Sequence, residues 1–226
     1  MNYKKPMKPI FFSTPMVQAI QDDRKTQTRR VIDKDISNQF DIDVDGSICA
    51  YINRVTGDSY KPEDIASYQP GDILWVRETW KCIKYDSMDG DLGYGVEFKD
   101  GTRKYFEFED NERFHKFGKY ATKNGWQPSI FMPKEAARIF LLVEKVRVER
   151  LQGILINDML AEGCVPKGVK GGQWQQWQRD YFMPLWDSIY AKRGYPYTYS
   201  SNPWVWVIEF KRISSGEIGR ASCRER

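Results

Sequence analysis

One histidine, no CxxC pair and no glycine-rich phosphate loop narrow what this 226-residue chain can do. A zinc site takes about four Cys or His ligands at close spacing. Here the cysteines stand apart at 49, 82, 164 and 223, and His115 is the lone imidazole. No metal and no cofactor are therefore expected. His115, set among Phe114, Lys116 and Phe117, reads as a surface residue. Without a GxGxxG or Walker loop, a dinucleotide enzyme or a nucleoside-triphosphate engine is not expected. No apolar run approaches the ~20 residues that span a bilayer. Lys4, Lys5, Lys8 and the early prolines interrupt the start before a signal-peptide core builds. The expectation is a cytoplasmic protein with reduced thiols and no membrane partner. There is no repeat at 20–50 residues.

Aromatics, in contrast, are abundant: 15% of the chain, with eight tryptophans, beside 41% hydrophobic residues. That suffices for a packed core without staples. The formal charge of +4 and pI near 8.7 are compatible with a nucleic-acid partner without requiring one.

The densest charge lies in Arg24-Lys25-Thr26-Gln27-Thr28-Arg29-Arg30. Four cations in seven residues repel one another and call for an anion nearby, phosphate first among them. A solvated turn is the plain alternative. Lys25 and Thr28 are three apart, so a helical turn would set ammonium and hydroxyl on one face. An ammonium beside a hydroxyl binds phosphate or activates a nucleophile.

Around this run, Ile10-Phe11-Phe12-Ser13 reads as a short strand. Thr14-Pro15 opens a helix with Met16, Ala19 and Ile20 on one face, ending near Asp23. Residues 33–69 are polar, with a hairpin signal at Asp45-Gly46. Ile73 to Trp80, Ile139 to Arg150 and Trp204 to Phe210 read as strands of one sheet. Residues 84–128 are weakly patterned and read as an inserted segment outside the core. Ile154 to Ala161 is a short helix stopped by Gly163. From Gln173 to Ala191 a longer helix carries Trp174, Trp177, Tyr181, Leu185, Ser188 and Ile189 at helical spacing, with Pro184 expected to kink it or split it in two.

Four segments occur in order: the run from Arg24 to Arg30; Pro70-Gly71-Asp72-Ile73-Leu74-Trp75-Val76-Arg77-Glu78-Thr79-Trp80; Ala161-Glu162-Gly163; and Trp204-Val205-Trp206-Val207-Ile208-Glu209-Phe210. Together they resemble the ASCH family of PUA-like domains, in the elaborated form common in phage and prophage genomes. Pro128-Ser129-Ile130-Phe131-Met132-Pro133 and Leu185-Trp186-Asp187-Ser188-Ile189 are similar to that subgroup, and the resemblance spans about Ile10 to Phe210. It implies an α+β fold: a PUA-like β-barrel with short helices at its mouth and inserted hairpins at 33–69 and 84–128, in a single domain over residues 1–213. It also implies a cleft facing RNA or a modified pyrimidine nucleoside.

Some members of that family are similar to an amidohydrolase that deacetylates N4-acetylcytidine with a lysine, a threonine and a glutamate. By motif, these fall on Lys25, Thr28 and Glu162. Another branch is ribonuclease-like. The leading expectation is an RNA- or nucleoside-binding domain with a cationic cleft made by Arg24, Arg29 and Arg30. The hydrolase is the alternative and a ribonuclease the third reading. Glu162 has a structural alternative, pairing with Arg29 or Arg30. Trp75 and Trp80 are stacking candidates, with Arg77 and Glu78 beside them. Glu78 either contacts a base or pairs with an arginine in the core. Asp23 departs from the glycine usual before Arg-Lys-Thr, at a helix exit that favours a left-handed backbone. Residues 217–226 resemble the translation of a sequencing-adapter oligonucleotide. Residues 214–226 are accordingly expected to be a disordered, artefactual tail; without 217–226 the charge is +3.

Overall fold

The computed structural model describes residues 7–86, 92–106, 111–123, 125–164, 174–214 and 217–218. Strand β1 (Lys8–Phe11) leads into helix α1 (Thr14–Gln21). Ser13 is the N-cap, one residue before the expected Thr14, and Pro15 sits in the first turn, where no N–H is missed. Val17, Ala19 and Ile20 are its buried stripe. The helix stops where Asp23 takes a left-handed φ of 55°, the conformation anticipated at that exit. The chain then extends into β2 (Gln27–Val31). Lys25 and Thr28 therefore do not share a helical turn. The β-branched Thr26, Thr28 and Val31 favour the pleated form.

The first inserted segment forms α2 (Lys34–Ser37) and a three-stranded sheet of β3 (Phe40–Ile42), β4 (Ile48–Ile52) and β5 (Ser59–Tyr60). Its hairpin turns at Asp45-Gly46, with Gly46 at a φ of 84°. It is not peripheral: Phe40 packs edge-on against Trp204, 6.0 Å between ring centres. After β6 (Ile73–Arg77) come β7 (Trp80–Asp86), β8 (Leu92–Phe98) and β9 (Arg103–Phe106), which pair as a meander, and α3 (Asn111–Ala121). The expectation that 84–128 lies outside the core is corrected here. Trp80, Tyr94, Val96, Phe98 and Phe117 build a core of their own around Trp75 and Met132. Alternation was hard to read because the segment packs against α3 rather than across a second sheet.

The remaining elements are β10 (Phe140–Arg150), α4 (Ile156–Ala161), α5 (Trp174–Trp177), α6 (Met183–Tyr190) and β11 (Trp204–Ile213). Between α5 and α6 the helix widens to a π form over Gln178–Phe182. Pro184 explains this, since its ring lacks an N–H and crowds the carbonyl four residues back.

The main sheet runs β1-β6-β10-β11-β2, with β1 parallel to β6 and the other neighbours antiparallel. The three strands expected to share a sheet do so, as β6, β10 and β11. The fold is mixed α+β. Backbone pairing does not close it into a barrel: β1 and β2 are its edges. A side chain spans between them instead, as Arg30 Nη2 donates to the Phe11 carbonyl at 2.6 Å. Along β11 the side chains alternate between faces. Trp204, Trp206, Ile208 and Phe210 enter a core with α1, while Val205 and Val207 enter another with α4 and α6. The tail expectation falls mostly outside the described residues; within them, Glu217 accepts from the Ser214 N–H and hydroxyl.

Candidate functional site

The basic run is answered mainly from inside the protein. Lys25 is buried, and its Nζ donates to the Gln27 carbonyl at 2.7 Å, the Glu162 carbonyl at 2.9 Å and Glu162 Oε2 at 2.9 Å. All three ammonium protons are used. Burial pushes the Lys25 pKa below its ordinary 10.5; Glu162 opposes that shift and Arg30 adds to it. Backbone pairing between Lys25 and Glu162 fixes the contact.

Arg29 lies on the same network. Its side chain is 1% exposed and reaches Glu162, Glu149 and Asp158 at 3.0–3.1 Å. Asp158 also accepts from the Leu155 N–H at the start of α4 and from Arg147. Burial alone would raise the Asp158 pKa, but Arg29 and these donors hold it below the ordinary carboxylate value. Arg29 is thus a structural cation and not a phosphate contact, which corrects that expectation. A buried, triply paired guanidinium has no face left for RNA. Arg24 is also engaged, with Asp22 and the Gly163 carbonyl. Arg30 differs. It stacks over Phe12, 5.3 Å from the ring centre, and has no carboxylate partner among the described residues.

Lys25, Thr28, Arg29, Arg30 and Glu162 all border one cavity of about 340 Å³. That volume is within the ~300–1,000 Å³ range of small-molecule sites. Phe12, Phe182, Leu185, Trp186 and Tyr190 give it an apolar wall, and Thr79 and Ser129 add hydroxyls. The Thr28 side chain makes no hydrogen bond among the described residues, so its hydroxyl is uncommitted. The arrangement offers a cavity with aromatic rings on its wall and polar groups on its floor. A planar ligand with hydrogen-bonding edges suits such a lining.

Gly163 holds the floor in place. It takes a φ of 68°, and a Cβ there would stand 2.8 Å from Ala19 Cβ and 2.9 Å from Lys25 Cβ. Gly163→Ala is expected to lower stability by about 2–4 kcal/mol, combining left-handed strain with overpacking. Chemical denaturation measures this, and a loss under about 0.5 kcal/mol, the usual range of an uneventful surface change, would refute the close approach.

Other expected site residues lie elsewhere. Trp75 and Trp80, at 6% and 0% exposure, pack in the core beside α3 and cannot stack on a base. Trp75 carries Arg77 on its face, 4.6 Å from the ring. β6 ends at Arg77, so alternation no longer governs Glu78. Glu78 is buried and takes two bonds from Arg138, at 2.8 and 2.7 Å. It is the core ion pair of the two alternatives, and burial raises its pKa. His115 is exposed on α3. Burial pushes the Cys164 thiol up to about 12, so it is not an activated nucleophile.

Sequence reasoning missed the wall of Phe182, Trp186 and Tyr190, and the hydroxyls Thr79 and Ser129. No family model, no curated protein and no solved structure matches this chain. Among the described residues no cluster of three His, Cys, Asp or Glu could hold a metal, and no helix is long and apolar enough to cross a membrane.

Proposed function

We propose that the cavity beside Lys25 binds a pyrimidine nucleoside carrying an acylated exocyclic amine and hydrolyses that amide. The observation that carries this reading is the meeting of Thr28, Lys25 and Glu162 at one cavity whose wall includes Phe12, Phe182, Trp186 and Tyr190. The ASCH-like, PUA-related reading of the sequence motifs agrees with it.

In the proposed reaction the Thr28 oxygen attacks the acyl carbon. Its proton passes to Lys25 Nζ, which must first be neutral, with Glu162 accepting or returning the proton. The C–N bond breaks, and the leaving amine takes that proton back. Water then hydrolyses the acyl-threonine ester and regenerates the hydroxyl. Arg30, the cation of the run with no carboxylate partner among the described residues, supplies N–H donors toward the developing oxyanion.

A second reading keeps the ligand and drops the reaction. Its support is that the Lys25 protons are all donated, to three oxygens, which favours the ammonium over the neutral base. An RNA-backbone cleft along the basic run is the weaker proposal, because Arg24 and Arg29 are engaged internally.

Incubation of the protein with N4-acetylcytidine, followed by chromatography for cytidine and acetate, tests the reading. Tryptophan fluorescence of the same mixture reports binding through Trp186. Turnover supports the hydrolase. A saturable fluorescence change without cytidine release supports the binding module. Neither signal, across a panel of acylated pyrimidine nucleosides, refutes both.

A further inference from the structure

A second concave surface lies next to the first. It has a volume of about 480 Å³ and takes cations from three parts of the chain: Arg77 from β6, Lys116 and Lys123 from α3 and the turn after it, and Lys134. Glu135 is the one carboxylate on its lining and stands 3.8 Å from Lys116. Arg77, Lys123 and Lys134 have no carboxylate partner among the described residues. Here most of the positive charge has no carboxylate partner among the described residues, in contrast to Lys25 and Arg29 of the basic run.

The surface also carries flat groups. Arg77 lies between Phe11 and Trp75, 5.2 and 4.6 Å from their ring centres, and its buried Nε has no partner. Phe131 is 56% exposed, with Lys123 Nζ 5.8 Å from its centre. An exposed phenylalanine beside a lysine, on a surface that carries further cations, is poorly explained as core. It is the combination that binds single strands, in which aromatic faces take bases and cations take the backbone.

The position gives the surface its meaning. Phe11 borders the first cavity while its ring carries Arg77 of the second. Ser129 borders the first cavity, and the next two residues, Ile130 and Phe131, border the second. The two concavities share a rim.

We infer that the Arg77–Lys116–Lys123–Lys134 surface docks single-stranded nucleic acid, placing one base at the adjoining cavity. The substrate class then extends from the free nucleoside to the same base within a strand. The choice of nucleic acid over another polyanion rests on the nucleoside reading of the cavity; the charge and the stacked arginine stand without it.

The test is fluorescence anisotropy of a labelled oligouridine RNA of about twelve nucleotides, titrated with the full chain over a salt series. The variant Lys123→Glu/Lys134→Glu changes two exposed side chains. It is expected to weaken binding about ten-fold or more and to flatten the log–log salt slope by roughly 0.7 per lysine. A control, Lys34→Glu/Lys61→Glu, alters net charge equally within the 33–69 segment and should bind like wild type. Equal weakening in both variants would reduce the effect to net charge and overturn the inference. So would no RNA binding by wild type, or equally tight binding of polyglutamate. Free N4-acetylcytidine separates this inference from the one before it. If the protein ignores that nucleoside but binds RNA through Lys123 and Lys134, the cavity reading falls and the docking surface stands.

Discussion

Glu162→Ala should lower stability by about 3–5 kcal/mol, the expected loss when one partner of a buried ion pair is removed. Lys25 would lose two of its three acceptor contacts' geometry: the carboxylate directly, and the carbonyl through loosening of the turn. Arg29 would keep Glu149 and Asp158, so the unpaired charge is mainly that of Lys25. This gives the variant a pH signature. Without Glu162, burial depresses the Lys25 pKa further below 10.5. Between that lowered value and the unfolded one, the unfolded chain binds more protons, so stability rises with pH. Glu162→Ala should therefore regain part of its loss as pH climbs from neutral toward 10. Adding Lys25→Met should recover most of the rest, because it removes the stranded charge. Urea denaturation of wild type, both single variants and the double variant measures the coupling. Additive losses would show that the pair is not one unit.

Thr28→Ala should reduce hydrolysis of an acylated nucleoside about a thousand-fold or more, because the attacking oxygen is gone. Stability should change by no more than about 1 kcal/mol, since the hydroxyl makes no hydrogen bond among the described residues. This separates Thr28 from Glu162, whose loss damages fold and reaction together. Thr28→Ser keeps the oxygen and should keep measurable turnover. In wild type, kcat/KM should rise with pH as Lys25 loses its proton, reaching its plateau below the ordinary lysine value of 10.5. Full activity in Thr28→Ala would remove the covalent step from the mechanism. In that event Lys25 and Glu162 would be left to activate water.

The Arg24–Arg30 run shows what local sequence conveys and where it stops. Four adjacent cations announced the need for an anion. They did not say that Glu149, Asp158 and Glu162, more than a hundred positions away, would supply it. Whether a charge is solvated or internally paired is decided by tertiary contacts, so the run read as an RNA contact although its central arginine is buried. The helix before β11 shows a different limit. Ordinary spacing from Trp177 leads to Tyr181, Leu185 and Ile189, yet Ile189 is 51% exposed, and Phe182, Trp186 and Tyr190 are the buried set. The π segment inserts one extra residue after Trp177 and moves the apolar stripe along by one. Pro184 is the available signal; it predicts a kink or a split, and the chain answers it with a π segment that shifts the register. Trp75 and Trp80 could not be placed from spacing alone, because the same strand pattern serves a cleft and a core. The strands of the main sheet were legible because β6, the start of β10 and the first half of β11 are apolar runs rich in Val, Ile, Leu and Trp, as a sheet covered on both faces requires.

The order β1-β6-β10-β11-β2 has a consequence for synthesis of the chain. β2 carries Thr28, yet its strand neighbour among the described residues is β11, synthesised well over a hundred residues later. Until β11 emerges, Gln27–Val31 has no sheet to join, and the face of Thr28 is unformed. A contact spanning most of the chain is slow to close and arrives after the local hairpins. The β7-β8-β9 meander can fold first, while the cavity at Lys25 is completed last. Nascent or truncated chains thus carry the chemical groups of the site without the site, and acquire it in a single late step.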